Sequence, residues 1–410
     1  MNTPNSPGSL SASSDEDQQL RIRLLVLMSI AMPLAFATWS VLLNNFAFER
    51  AAFNGSQIGN LQSLREVPGF LAFTAVFVLL VMREQSLAIF SLALMGVGVA
   101  LTGFLPSEYG LYFTTVLMSV GFHYFETVKQ SLSLQWLPKA EAAQVLGRLI
   151  SVGSLTSIGV YLAWLVTFKV LQLDYRWVYL LAGAACAGLA AYMHVKFPSF
   201  AVDNSQKMAL FMRRRYWLYY GLTFFSGARR QIFMVFAGFM MVEKFGYGVE
   251  QILSLFLVNH LFNYLFAERI GRLIGRIGER RALVFEYVGL IGVFVSYSLV
   301  ENATLGAVLY VVDHLFFALA IAIKTYLQKI GDPADMAGTA GVAFTINHIA
   351  AVAIPAALGL VWLSSPMLVF LIGAGFAACS LALAFNIPDQ PGPGNEVVYG
   401  RAGTKAAIVE

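Results

Sequence analysis

Runs of roughly 20 apolar residues recur along most of this chain, and they restrict its fold more than any other feature. A bilayer core of about 30 Å needs a helix of that length to cross it. Soluble domains carry about 25% charged residues. Here only 12% of 410 residues are charged, 58% are hydrophobic and the mean hydropathy is +0.69. The chain therefore reads as an all-α polytopic membrane protein, because only helices and closed barrels satisfy their backbone groups in lipid.

Twelve transmembrane helices are predicted: Ile22–Ala47, Ile58–Met82, Leu87–Phe104, Tyr109–Leu137, Ala142–Phe168, Trp177–Val195, Tyr216–Val242, Val249–Ile270, Ala282–Val300, Leu305–Ile330, Ala337–Leu363 and Met367–Phe385. Basic residues gather in alternate connections: Arg21 and Arg23, Arg83, Lys139, Lys196 with Lys207 and Arg213–Arg215, then Arg272–Arg281, then Lys329. Basic loops stay cytoplasmic, so both termini are expected inside, in a bacterial inner membrane. The net charge of +4 needs no nucleic-acid partner. Cys186 and Cys379 both lie in apolar runs and indicate neither a disulfide framework nor a metal site. Residues 1–20 and 388–410 read as unordered cytoplasmic tails, the first Ser/Asn/Pro-rich and the second Gly/Pro-rich. No cofactor is expected, and no phosphate-binding GxxxxGK[ST] loop occurs, so ATP is not the energy source.

Gly271–Leu283 places Arg272, Arg276, Arg280 and Arg281 between two apolar runs, with Arg269 just upstream. Such charge density belongs at a membrane face. Gly271, Leu273, Arg276, Gly278, Arg280 and Leu283 resemble the signature gating loop of the major facilitator superfamily, found there after helices two and eight. Gly275 stands where the family carries aspartate, and Glu279 where it carries a basic residue.

Internal repetition points the same way. At an offset of 195, Lys129 meets Lys324, Leu132 meets Leu327 and Pro138 meets Pro333. At 193, Ala184-Ala185-Cys186 meets Ala377-Ala378-Cys379; at 194, Glu49 meets Glu243 and Ile58 meets Ile252. Two six-helix bundles follow, residues 21–196 and 216–387, joined by a basic cytoplasmic linker at 197–215. A parallel repeat of this kind is the architecture of major facilitator transporters, and the resemblance covers about residues 20 to 387.

Ionisable residues inside a membrane are costly and mark partners or pathways. Those embedded here are Arg65 and Glu66 (span two), His123, Glu126 and Lys129 (four), Arg229 and Arg230 (seven), His260 (eight), Asp313, His314 and Lys324 (ten) and His348 (eleven). Glu286 in span nine lies near the basic loop. The resemblance implies that spans one, four, seven and ten line the cavity and that three, six, nine and twelve stand outside. At about 100° per residue, His123, Glu126 and Gln130 share a face with Lys129 on its flank. Asp313 and Lys324, eleven apart, return to within about 20° of one face. His123-x-x-Glu126 has the spacing of two metal ligands, but no third ligand shares that face, so a hydrogen-bonded polar cluster is expected. Met234, Met240 and Met241 are taken as packing bulk rather than a copper path. Gly147, Gly153, Gly159, Gly338 and Gly341 are expected at close helix contacts, and Pro33, Pro68 and Pro355 at kinks.

Five embedded cations face three embedded anions, leaving two positive charges over. An organic anion would supply the balance, with Arg229, Arg230, Lys129, Lys324 and Arg65 as binding candidates. The contrary expectation is that both arginines neutralise Glu66, Glu126 or Asp313. Glu126, Asp313, His123 and His314 are the candidates for carrying protons. The expected function is proton-coupled secondary transport of a small solute by a monomer. The alternatives are proton-driven efflux of drug-like cations and a receptor or assembly factor on a transporter scaffold; an enzyme is not expected.

Overall fold

The computed structural model describes residues 7–71, 74–137, 142–200, 212–332 and 336–399. The expected features at Pro138, Lys139, Lys207 and Pro333, most of the linker, and both extreme ends lie outside the described residues. Helices account for nearly all of the rest. In chain order they are α1 Pro7–Ala51, α2 Gly55–Phe70, α3 Ala75–Val78, α4 Glu84–Thr102, α5 Glu108–Trp136, α6 Ala142–Val166 and α7 Tyr175–Lys196. They continue as α8 Trp217–Gln231, α9 Gly238–Glu243, α10 Val249–Ile277, α11 Glu279–Leu299, α12 Ala303–Phe317, α13 Ile321–Ile330, α14 Met336–Ser364 and α15 Pro366–Ala384. Among the described residues, eight helices are long and apolar enough to cross a membrane. The four predicted spans outside that set, two, four, seven and eight, carry embedded charges or histidine. Polar residues lower a helix's hydropathy where they line protein rather than lipid.

Two compact units emerge. One holds α1 as far as Phe46 together with α3 to α7; the other holds Ala47–Val67 together with α8 to α15. In the first, α4 packs along both α5 and α7. A Cβ on Gly96 would lie 2.6 Å from the Gly183 carbonyl oxygen and one on Gly183 would lie 2.3 Å from that of Gly96, so only glycine permits this approach. The Trp164 indole N–H donates to Thr38 Oγ1 at 2.7 Å, tying α6 to α1. Phe46 meets Tyr179 edge to face and Tyr175 at a tilt. The close contacts differ from those expected: Gly159 has open space beside it, and Gly153 makes only ordinary contact with Ser29 and Pro33. The surroundings of Gly147, Gly338 and Gly341 are not among those described.

In the second unit, α2 presents Gly55, Gly59 and Ser63, four residues apart and so on one face. Gly55 abuts Trp362, Gly59 abuts the Pro355 carbonyl, and Ser63 Oγ accepts from the Ala356 N–H at 2.9 Å. The stripe of small residues lets α2 lie directly on α14. Helix α8 packs on α14 and α15, and α11 runs along α15. After α15 the chain folds back: Val398 N–H donates to the Asn386 carbonyl at 2.9 Å, Tyr326 donates to the Glu396 carbonyl, and Val397 is buried in the unit's core.

Candidate functional site

In the first unit, α5 supplies the polar face read from its sequence. Ser107 caps it by accepting from Gly110 N–H at 3.2 Å, and Glu108 in the first turn suits the helix dipole. About five turns on, Lys129 Nζ lies 3.9 Å from Glu126 Oε1 and 5.4 Å from the centre of the Phe125 ring. The lysine that flanks the face thus compensates the carboxylate on it. Glu126 keeps 43% of its side chain exposed, whereas His123 is buried beside Phe122.

In the second unit, the adjacent arginines part ways. They sit in the last turn of α8, directly before a π-helical turn at Ile232–Ala237. Such turns occur frequently at functional sites. Neighbouring residues on a helix point about 100° apart, and here one is packed in the unit's interior while the other keeps accessible surface. Arg229 is fully buried, with Nη1 3.5 Å from Glu286 Oε1, Nε donating to the Phe225 carbonyl at 3.3 Å, and the guanidinium 4.4 Å above the Tyr287 ring. Arg230 is exposed and makes no ion pair or hydrogen bond among the described residues.

Arg229 therefore has a partner, but not the expected Glu66, Glu126 or Asp313. The partner is Glu286, seven residues into α11 and wholly buried. Its proximity to the basic stretch hid its depth. The available signal was its place on the buried stripe Ala282, Leu283, Glu286, Tyr287, Leu290, where a carboxylate needs a cation. Asp313 on α12 is also fully buried and lies within Coulomb range of Arg229 and Tyr297. Neither of its carboxyl oxygens has a hydrogen-bond partner among the described residues. One guanidinium thus serves two buried carboxyl groups.

Asp313 and Lys324 do not share a face. A 3-10 turn at Ala318–Ala320 separates α12 from α13. Its tighter winding advances each residue about 120° instead of 100°, so extrapolating one straight helix across it fails. Asp313 ends up inside and Lys324 exposed, with no ion pair among the described residues.

A second polar group gathers at the end of α2. Arg65 donates to Glu66 through both Nε, at 3.1 Å, and Nη2. His348 Nε2 is 3.7 Å from the other Glu66 oxygen. Arg230 lies within Coulomb range of Glu66 and Arg65, and His314 within range of His260 and Arg230. The exposed arginine thus stands near residues of α2 and α12.

The stretch expected as a basic loop is mostly helix. Helix α10 runs on to Ile277, and the turn into α11 is Gly278 alone, with φ +84°. Only glycine holds that conformation without steric cost. Gly271, Arg272 and Arg276 thus lie on the helical extension, and Arg280 and Arg281 open α11. Glu279, at the position that departs from the family pattern, turns inward and accepts from Lys329 Nζ at 2.8 Å. Arg280 pairs with Asp389 at 3.4 Å.

A family model described as the Major Facilitator Superfamily matches residues 22–355. The chain belongs to the major facilitator superfamily. No curated protein matches its sequence. Its fold is similar to the crystal structure of a mutant of the nucleoside transporter NupG, with TM-score 0.73 and 16% identity over 89% of this chain and 98% of that one. A second NupG crystal structure gives TM-score 0.68 at 18% identity, covering 89% and 97%. A bacterial homolog of the human lysosomal transporter Spinster, inward-facing and occupied, gives 0.66 at 12%, covering 89% and 95%. This superfamily member is accordingly a multi-pass membrane protein and a secondary transporter of a small molecule.

Proposed function

We propose that this transporter moves a small organic anion by alternating access, with proton coupling. Arg230 carries the reading: it is exposed and without an ion pair among the described residues, beside an arginine that is already neutralised. Adding Glu286 to the embedded anions makes four against five cations. Arg229 uses Glu286, Arg65 uses Glu66 and Lys129 uses Glu126. Asp313 is sealed beside Arg229. Arg230 and Lys324 are left over, and a guanidinium's two-pronged donor geometry suits a carboxylate or phosphate. On this reading Arg230 binds the substrate's negative charge, Lys324 and Arg65 of the same unit add positive field, Lys129 of the first unit is a separate binding candidate, and Arg229 holds the interior charge balance.

Asp313 is the proposed proton carrier. It is a fully buried carboxyl group with no hydrogen bond among the described residues, beside Arg229, so gaining or losing a proton there changes the interior charge balance. Glu126, His123 and His314 are the secondary candidates. Both termini and the basic stretch 269–281 are proposed to face the cytoplasm, in the inner membrane.

The experiment is flux into proteoliposomes under an imposed pH gradient, using a panel of carboxylates and organic phosphates with cationic drugs as the counter-panel. Saturable, gradient-driven movement of an anion supports the reading. Arg230→Lys then weakens apparent affinity roughly tenfold to a hundredfold, the worth of one charge-assisted hydrogen bond. Gradient-driven export of cations alone would replace it with the efflux alternative.

A further inference from the structure

The start of α11 and the end of α15 enclose an open groove of about 470 Å³ on the second unit. Its two kinds of lining are segregated. Arg281, Val284, Phe285 and Val288 fall at i, i+3, i+4 and i+7, one stripe of α11 with the arginine at its head. Phe285, Val288 and Phe385 expose 60%, 56% and 51% of their surfaces. Helix α11 is long and apolar enough to cross a membrane, so its first turn lies at the bilayer boundary and the stripe below it faces hydrocarbon.

The charge at the mouth is not balanced. Arg280 is paired with Asp389 at 3.4 Å, while Arg281 is exposed and has no ion pair among the described residues. Glu279 is turned inward onto Lys329 and contributes nothing to the groove. Two arginines against one aspartate leave a net positive mouth over an apolar wall. Acyl chains complement such a wall, and a net-negative headgroup complements the mouth. A zwitterionic headgroup would bring an ammonium toward the same arginines.

We propose that this groove binds one anionic phospholipid, its phosphate held by Arg281 and Arg280 and an acyl chain laid along Val284, Phe285, Val288 and Phe385. The site is separate from Arg230 and Asp313 and does not depend on what the transporter carries.

The test is native mass spectrometry of the purified full chain in neutral detergent, titrated with phosphatidylglycerol, phosphatidylethanolamine or phosphatidylcholine. Wild-type protein is expected to retain phosphatidylglycerol more tightly than either zwitterionic lipid. A basic residue near a membrane surface is worth about 1 kcal/mol toward anionic lipid, or roughly fivefold in binding. Arg281→Ala should therefore weaken phosphatidylglycerol about fivefold and leave phosphatidylcholine unchanged. Asp389→Asn frees Arg280 and should strengthen phosphatidylglycerol, a gain that a loss of folding cannot imitate. Equal retention of all three lipids would overturn the proposal. So would unchanged phosphatidylglycerol binding in both variants.

Discussion

Arg229 cannot shed its charge inside the protein, whereas Glu286 and Asp313 can each take a proton. That asymmetry makes a sharp prediction about their removal. At 3.5 Å and an effective dielectric of about 20, the Arg229–Glu286 attraction is roughly 5 kcal/mol before desolvation is subtracted. Glu286→Gln removes that partner but leaves Asp313 within Coulomb range, able to ionise and replace it. The single variant should lose about 1.5–3 kcal/mol, the worth of a hydrogen bond to a charged group. Asp313→Asn removes a group with no hydrogen bond among the described residues and should cost less. Glu286→Gln with Asp313→Asn strands a buried guanidinium, and the loss should reach about 3–5 kcal/mol, well beyond the sum of the singles. The assay is thermal unfolding of each purified variant in one detergent. Additive single and double variants would refute the idea that one arginine serves two carboxyl groups.

Asp313→Asn should abolish gradient-driven uptake while sparing exchange of substrate across the membrane; retained gradient dependence removes Asp313 as the proton carrier. Gly278→Val should cost about 1–2 kcal/mol through its φ of +84°, read as a lowered melting temperature, whereas Gly275→Ala should be neutral or better, since that glycine lies within helix and has open space beside it. A cysteine at exposed Arg276 should be labelled only after permeabilisation, and one at Ser107 or Ser365 from outside; reversed labelling would overturn the orientation. Arg276 suits this test because Glu279 in the same stretch is buried.

The class of fold was legible because hydrophobicity over 20 residues is a coarse average that single residues barely disturb. The resemblance carried by Gly271, Arg276 and Gly278 led to the family that the matched model shows. What lay beyond reach depended on a few backbone dihedrals. The 3-10 turn at Ala318–Ala320 has no proline or glycine to announce it, and it moves Lys324 off the face of Asp313. The contact of α2 with α14 rests on Gly55, Gly59 and Ser63, and small residues four apart occur in many helices that pack against nothing so closely. Charge counting misplaced two groups: it omitted Glu286, which pairs with Arg229, and counted the wholly buried Asp313 as a free anion.

The opposite fates of Arg229 and Arg230 follow from where their helix must compromise. A buried guanidinium requires an anion, and Glu286 is held for it by α11, whose stripe through Ala282, Leu283, Tyr287 and Leu290 is packed and cannot easily rotate. Fixing Arg229 to that stripe fixes the rotation of α8 about its axis, and with it the direction of Arg230, toward Glu66 and Arg65. The π turn begins only two residues later, and a wider turn there lets Phe233, Val235, Phe236, Ala237 and Phe239 all remain buried beyond the charged pair. The buried pair therefore acts as a rotational lock whose product is the exposed arginine. If so, Glu286→Gln should disturb substrate binding through Arg230 without touching substrate: apparent affinity should fall in parallel with that of Arg230→Lys, and combining the two should add little. Independent, additive losses of affinity would mean that the lock is not what aims Arg230.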